Sequence, residues 1–189
     1  MEGLYDYIKQ FAVLDRQEFE LLAQMLEVKH YDKKTVITNI GETENYLYFV
    51  SSGLVRKYFI HGKKEINTQL AAENDLICSS VSFLSRKPSS YIIETLEPSL
   101  LLRLSFDNME KIYQMGPRMN RLGRLIIIDW LVQKEAWEHD RIKQNPRERF
   151  VNFVRRNAVL VQRVPQKHLA SYLNMKPETY SRYKHLLSK

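Results

Sequence analysis

The chain has 189 residues, of which 44% are hydrophobic and 27% are charged, and its formal net charge is +7. This composition is typical of a globular protein and excludes a disordered one, and the length allows one large domain or two small ones. The single cysteine, Cys78, excludes an internal disulfide and indicates a reducing compartment. The N-terminus lacks a basic start followed by an apolar core, and the apolar run at residues 122–132 is too short to span a bilayer. We therefore expect a cytoplasmic protein with no signal peptide and no membrane segment.

Residues 4–28 are predicted to be helical. Asp15 is a suitable N-cap, and Glu18, three residues later, can complete a capping box. Phe19, Leu22 and Leu26 follow with helical spacing, which predicts one buried face.

Residues 31–104 alternate between short β-rich runs and turn residues. Short strands that are regularly separated by turn residues favour an antiparallel sandwich or barrel. The strands are expected at residues 35–38, 46–50, 54–60, 66–71, 91–96 and 100–104.

A long helix is predicted at about residues 117–142, after a break at Gly116 and Pro117. Its apolar side chains lie on more than one face, so more than one side of the helix must be covered. The barrel can cover one side, and a second copy of the helix can cover the other in a two-fold dimer. The alternative is that the C-terminal domain folds back over the helix. The residues expected at the dimer interface are Leu122, Leu125, Ile128 and Val132.

The positive charge is concentrated at the C-terminal end. Residues 141–189 hold twelve Lys and Arg against two Asp and Glu, whereas residues 1–140 have a net charge of −3. Asn145, Pro146 and Glu148 predict the start of a helix, with a cap, a proline at the first position and a capping box. We therefore divide the chain near Gln144 into residues 1–143 and 144–189, the second being a basic three-helix unit. Its arginines, expected around the apolar face of the first helix, are Arg147, Arg149, Arg155 and Arg156.

The last part of this unit is typical of two short helices joined by a tight turn at residues 174–176. The first helix, at about residues 166–173, buries Leu169, Ala170 and Leu173. The second begins at Pro177 and places Tyr180, Tyr183 and Leu187 on one stripe, opposite a polar stripe. Any amphipathic surface helix has a polar stripe, but the basic charge favours a DNA-recognition helix, whose polar side chains contact base edges. The DNA-contacting residues expected are Gln166, Lys176, Glu178, Thr179, Ser181, Arg182 and His185, together with Arg155 and Arg156.

The order of these parts resembles the Crp/Fnr family of bacterial transcription regulators over nearly the whole chain. The run Asn74-Asp75-Leu76-Ile77 resembles the Gly-Asp-Phe-Ile run that enters the family's nucleotide cassette. The run Lys176-Pro177-Glu178-Thr179-Tyr180-Ser181-Arg182 resembles the recognition-helix pattern Ser-Arg-Glu-Thr-Val-x-Arg. The resemblance implies an α+β fold with an antiparallel jelly-roll (double-stranded β-helix) barrel, flanking helices, a long dimerisation helix and a helix-turn-helix domain.

The resemblance also implies a homodimer on double-stranded DNA, with Glu178 and Arg182 at base-reading positions and RNA polymerase as a further candidate partner. Two residues depart from the pattern. Pro177 stands where the family often has a base-reading arginine. Lys176 stands at the helix cap, where Ser or Thr would normally accept hydrogen bonds from backbone amides. The sequence ends at Lys189, soon after the recognition helix, so we expect no full β-hairpin wing.

The nucleotide cassette departs further from the family. Nucleotide-binding members use a Gly-Glu-Leu segment for the ribose and an Arg-Ser or Arg-Thr pair for the cyclic phosphate. Cys78-Ser79-Ser80 and Ser89-Ser90 stand at those positions, so serine replaces both charged anchors, and the register does not favour Arg86 as a substitute. We expect a degenerate pocket that does not bind cyclic AMP, no cofactor and an unknown effector. The residues expected to line this pocket are Ser79, Ser80, Ser89 and Ser90.

Two other functional classes stay open. One is a ligand-binding barrel in which an unknown small molecule tilts the reading helices. The other is a cupin-like enzyme, which would need histidine and carboxylate ligands clustered on strands, and residues 54–60 and 66–71 show no such cluster. We therefore expect a regulator and not an enzyme.

Overall fold

The structure is a computed structural model that describes residues 1–184. In this part of the chain the strands are β1 (Leu26–Tyr31), β2 (Val36–Thr38), β3 (Tyr46–Ser52), β4 (Val55–His61), β5 (Lys64–Ala71), β6 (Leu76–Ile77), β7 (Ile92–Thr95) and β8 (Ser99–Ser105). The helices are α1 (Glu2–Lys9), α2 (Arg16–Gln24), α3 (Ser80–Ser85), α4 (Phe106–Gln114), α5 (Pro117–Lys143), α6 (Pro146–Arg156), α7 (Ala158–Arg163), α8 (Gln166–Tyr172) and α9 (Pro177–Lys184). None of the described helices is long and apolar enough to cross a membrane.

The strands form two four-stranded sheets, ordered β1-β8-β3-β6 and β2-β7-β4-β5, in which every pair is antiparallel. This arrangement confirms the predicted α+β fold with an antiparallel jelly roll. All six predicted strands are present, with ends displaced by at most two residues. The apolar side chains buried in the barrel interior include Tyr48, Val50, Val55, Ile77, Ile93 and Leu101.

The prediction of one helical segment at residues 4–28 is wrong at its end. The helices α1 and α2 are separate, and residues 26–31 form the edge strand β1, in which Val28 pairs with Leu102 of β8. Local helix signals are correct at the start of α2, where Asp15 and Glu18 form the predicted capping box. The tertiary pairing with β8 then overrides the helical spacing beyond Met25.

The long helix α5 is covered on only part of its surface. Leu122 is 2% exposed and packs with Met119 in the chain's own core, so it is not available to a partner as predicted. Trp130 packs against the barrel core, and Trp137 packs against the C-terminal helices. The C-terminal unit therefore covers the end of α5, as the alternative expected, but not its middle. The large apolar side chains left exposed there are Ile127, Ile128, Leu131 and Val132, at 39–59% exposure, while Leu125 is half-buried.

The C-terminal part contains four helices within residues 144–184, whereas three were predicted. The additional helix is α7, whose β-branched residues gave no helical signal. Its last residue, Arg163, is anchored to the barrel by hydrogen bonds to both carboxylate oxygens of Glu73 (2.6 and 2.9 Å), to Glu97 and to the Gly53 carbonyl (3.1 Å). Tertiary contacts therefore hold a helix that local propensity does not predict.

A second contact joins the C-terminal unit to the barrel, between α8 and the edge strand β5. The Ser171 hydroxyl accepts a hydrogen bond from the backbone amide of Asn67 (2.9 Å) and donates one to the backbone carbonyl of Glu65 (2.8 Å). His168 Nδ1 lies 3.1 Å from Nη1 of Arg56, so it must act as the acceptor. Burial, with Arg56 adding to it, lowers the pKa of His168 to about 4. The neutral histidine is therefore the form that fits this contact.

Candidate nucleic-acid interface and barrel pocket

The orientation of α9 is set by its aromatic face. Tyr180 is fully buried, and its ring meets Phe150 of α6 edge-on at a centroid distance of 5.1 Å. The turn between α8 and α9 is held by the Met175 amide, which donates to the Ala170 carbonyl (2.9 Å), and by Asn174 in a left-handed conformation (φ 50°). These contacts place one side of α9 against the core and the other in solvent.

The exposed side of α9 is polar. An open concavity with a volume of about 630 Å³ lies on this side of the helix. It is lined by Pro177, Glu178, Ser181 and Arg182, and by Gln166 at the start of α8. We call this set of residues the polar face. The sequence placed four of these residues among the expected DNA contacts, and the structure brings those four together.

The other expected DNA contacts lie outside the polar face. Lys176 is exposed in the turn, Thr179 is half-buried, and Arg155 is exposed on α6. Arg156 is also exposed and lies 3.7 Å from Asp140 of α5. His185 lies outside the described residues, as does Leu187.

Arg149 is a residue whose position the sequence did not reveal. It was expected on the surface of α6, but it is only 5% exposed. Its Nε donates to the Leu173 carbonyl (2.7 Å), and its Nη1 donates to the carbonyls of Arg141 (2.6 Å) and Gln144 (3.1 Å). Burial lowers the pKa of this guanidinium, with Arg141 adding to the shift. Arg149 therefore joins the end of α5 to the residue that follows α8.

The expected pocket serines divide into two pairs. Ser79 and Ser89 are buried, and their hydroxyls lie 2.8 Å apart. The Ser89 hydroxyl also lies 2.8 Å from the Tyr91 carbonyl and accepts a hydrogen bond from the Tyr91 amide (3.0 Å). Ser80 is half-buried and Ser90 is exposed, so Ser90 does not join the pocket. The two buried hydroxyls therefore satisfy each other inside the barrel.

A carboxylate that the sequence analysis missed lies beside Ser79. Glu44 is 1% exposed, and its oxygens accept from the Thr38 hydroxyl (2.9 Å), the Tyr48 hydroxyl (3.3 Å) and the amides of Tyr46 (3.1 Å) and Ser79 (3.4 Å). Burial raises the pKa of Glu44, and these hydrogen bonds oppose the shift. The backbone amide of Ser79, in the cassette, therefore already has the Glu44 carboxylate as its acceptor.

A lysine also occupies this region. Lys57 of β4 donates from Nζ to the Cys78 carbonyl (3.1 Å). The Nζ atom lies 5.7 Å from the centroid of the Tyr91 ring and 6.0 Å from that of Trp130 on α5. Burial lowers the pKa of Lys57. Nothing in the local sequence marked this lysine, because lysines in strands usually point to solvent.

Arg86, three residues before Ser89, is bound elsewhere and does not replace the arginine that the family pattern places at Ser89. Arg86 Nη1 donates to the Glu44 carbonyl (2.7 Å), and its guanidinium carbon lies 4.7 Å from the centroid of the Phe106 ring. Among residues 1–184, no group of three or more His, Cys, Asp and Glu side chains is placed to hold a metal ion.

Comparison with sequence families identifies the barrel. Residues 28–115 match the cyclic nucleotide-binding domain family, a span that runs from β1 to the residue after α4. A comparison with curated protein sequences finds no match.

Many solved structures share the fold. FixK2 from Bradyrhizobium japonicum is 17% identical, with a TM-score of 0.72, and the match covers 86% of this chain and 84% of FixK2. The c-di-GMP-responsive global regulator CLP from Xanthomonas campestris is 15% identical, with a TM-score of 0.67 and 92% of both chains covered. A transcriptional regulator of the Crp/Fnr family from Eubacterium rectale is 16% identical, with a TM-score of 0.67, covering 93% of this chain and 84% of the other. Residues 28–115 therefore match the cyclic nucleotide-binding domain family, and the chain shares its overall fold with these regulators.

Proposed function

We propose that this protein is a sequence-specific DNA-binding transcription regulator that acts as a homodimer. The observation that carries the proposal is the polar face, an open surface that presents Gln166, Glu178, Ser181 and Arg182 together. It belongs to the segment at residues 141–189, which has a net charge of +10. Phosphate contacts need such a charge, and base edges are recognised by such side chains.

In the proposed complex, α9 enters the major groove with its polar face towards the base pairs. The Glu178 carboxylate can accept a hydrogen bond from cytosine N4, and the Arg182 guanidinium can donate two to guanine O6 and N7. Arg155, exposed on α6, is suited to a phosphate contact, which positions the domain without reading sequence.

The exposed apolar residues in the middle of α5 support the dimer. Ile128, Leu131 and Val132 follow helical spacing and leave an apolar stripe in solvent. A second copy of α5, related by a two-fold axis, would cover this stripe with the same residues. Two copies of α9 would then contact successive major grooves, about 34–36 Å apart.

The decisive experiment is selection of duplexes from a random pool by the purified protein. We expect enrichment of a palindromic site with two half-sites about one helical turn apart. Light scattering on the same sample should give a dimer. If no sequence is enriched at any salt concentration, DNA recognition is ruled out as the function.

Replacing Arg182 by alanine tests base recognition. We expect Arg182→Ala to weaken binding to the selected site by about 1–3 kcal/mol and to relax the preference at one base pair per half-site. Arg155→Ala is the matched control, since it also removes one exposed arginine of the same unit. It should weaken binding to all duplexes equally, as loss of a phosphate contact does. Repeating the selection with each variant distinguishes the two effects, and an unchanged consensus with Arg182→Ala would contradict its base-reading role.

Isothermal calorimetry should show no binding of cyclic AMP or cyclic GMP tighter than about 10 μM. A cyclic phosphate would lose its hydration on entering the barrel, which costs several kcal/mol unless the charge is paired. The hydroxyl of Ser89 contributes roughly 0.5–1.5 kcal/mol, whereas a bidentate guanidinium would contribute more. The ligand would also face Glu44, which already accepts from the Ser79 amide.

A tight complex with either nucleotide would contradict this assignment of the pocket. In that case Arg86 would be the first residue to replace, since it would have to leave its hydrogen bond to the Glu44 carbonyl to reach the phosphate. The unrelated variant Lys87→Ala is a suitable control, because Lys87 is exposed beside it.

A further inference from the structure

The Lys57 ammonium group occupies the place where the barrel meets the long helix. It is bound to the carbonyl of Cys78, a residue at the Gly-Glu-Leu position of the cassette. It also lies at the outer limit of cation–π distance from Tyr91 and from Trp130 of α5. No described carboxylate lies within 4.0 Å of this ammonium group. One side chain thus bridges β4, the cassette and α5.

The helix α5 connects this contact to the C-terminal helices. Trp130 and Trp137 are seven residues apart, so they lie on the same face of α5 two turns from each other. Trp130 packs against the barrel core, whereas the ring of Trp137 stacks on that of Tyr172, with centroids 4.6 Å apart and planes inclined by 8°. Tyr172 is the last residue of α8. The single helix α5 therefore carries both contacts, Trp130 at the barrel and Trp137 at the helix-turn-helix.

A small molecule controls a regulator by stabilising one arrangement of its parts over another. In this barrel, the groups that could receive such a molecule already bind one another. The hydroxyls of Ser79 and Ser89 are paired, the Ser79 amide is bound to Glu44, and the Cys78 carbonyl is bound to Lys57. The group that contacts both the cassette and α5 belongs to the protein itself.

We propose that Lys57 is a built-in occupant of the barrel pocket, which takes the place of a small-molecule effector and holds α5 in the DNA-binding arrangement. This inference rests on the proposed function, because it concerns what controls DNA binding. It makes the wild-type protein active without any added ligand. It also identifies the chemical class of molecule that a truncated pocket would accept: a primary alkylammonium ion.

The test is chemical rescue of Lys57→Ala. This substitution removes three methylene groups and the ammonium, so n-propylammonium matches the missing part. We expect Lys57→Ala to bind the selected duplex about tenfold more weakly than wild type, within the usual range of coupling between sites. Millimolar n-propylammonium should restore binding, whereas n-propanol, which lacks the charge, should not.

Tryptophan fluorescence gives a readout that does not depend on DNA. Both tryptophans of the protein, Trp130 and Trp137, lie on α5. The emission of Lys57→Ala should differ from that of wild type and should return towards it when n-propylammonium is added. Lys134→Ala, which removes an exposed lysine of α5 close to Lys57, is the control and should show neither a loss of binding nor a rescue.

Lys57→Met separates bridging from packing, because methionine fills the apolar part of the site but cannot donate to the Cys78 carbonyl. This variant should stay folded, bind DNA as weakly as Lys57→Ala and gain nothing from n-propylammonium. If the wild type binds the duplex and both Lys57 variants bind it equally tightly, the inference is overturned and the proposed function stands. Failure of the wild-type protein to select any duplex would instead overturn the proposed function.

Discussion

Arg149→Met is expected to lower the free energy of unfolding by about 2–4 kcal/mol. The guanidinium of Arg149 donates to the carbonyls of Arg141, Gln144 and Leu173. Methionine has a similar length but no donor, so the carbonyl of the buried Leu173 would lose its hydrogen bond inside the core. The carbonyls of Arg141 and Gln144 are on half-buried residues, which water can partly reach, and this limits the loss.

Urea denaturation followed by circular dichroism measures this effect. Arg147→Met is the matched control, because Arg147 is exposed on the same helix two residues earlier. Its substitution should change the free energy of unfolding by less than about 0.5 kcal/mol, as is usual at the surface. Arg149→Lys should recover only part of the stability, since one ammonium cannot reproduce the fork of a guanidinium. Equal stability of the two methionine variants would contradict the buried position of Arg149.

The contrast between Arg149 and Tyr180 illustrates what the sequence can predict. Tyr180 lies on an apolar stripe with helical spacing, so its burial follows from the local pattern. Arg149 precedes Phe150 among several arginines, and its burial depends on carbonyls that α5 and α8 bring from elsewhere in the chain. A local pattern carries no information about such partners.

The same reason separates correct from missed features in the barrel. Strands with strong alternation and clear turns were predicted to within two residues, whereas β1 and the two-residue β6 depend on pairing with distant strands. The serine substitutions at Ser79 and Ser89 were visible from a short motif. Glu44 and Lys57, which bind the same cassette, come from other strands or loops and were not. Their roles followed only from the folded arrangement.

We expect Ile128→Asp, a substitution in the exposed apolar stripe of α5, to abolish the dimer. In the monomer, Ile128 is 47% exposed, so an aspartate there should leave the fold of each chain nearly unchanged. In a dimer the same position would lie against the second copy of α5, where an unpaired carboxylate is strongly unfavourable. The variant should therefore be monomeric in light scattering at concentrations at which the wild type is dimeric.

Loss of the dimer should weaken binding to the palindromic site far more than to a single half-site. Two linked half-sites bind with a high effective concentration, which is typically worth about 10²–10⁴ in affinity. Val13→Asp is the control for the added negative charge, because Val13 is an apolar residue with 73% exposure outside α5. It should remain dimeric and keep nearly all of its affinity for the palindrome.

Leu122→Asp distinguishes the apolar residues of α5 that pack in the chain's own core from those proposed to contact the second copy. Because Leu122 is 2% exposed in the chain's own core, this variant should lose thermal stability and should not behave as a folded monomer. A folded, monomeric Leu122→Asp variant would instead place the dimer contact at the start of α5. A wild-type protein that is monomeric at tens of micromolar would rule out dimerisation through this helix, because an obligate apolar interface is expected to be saturated at that concentration.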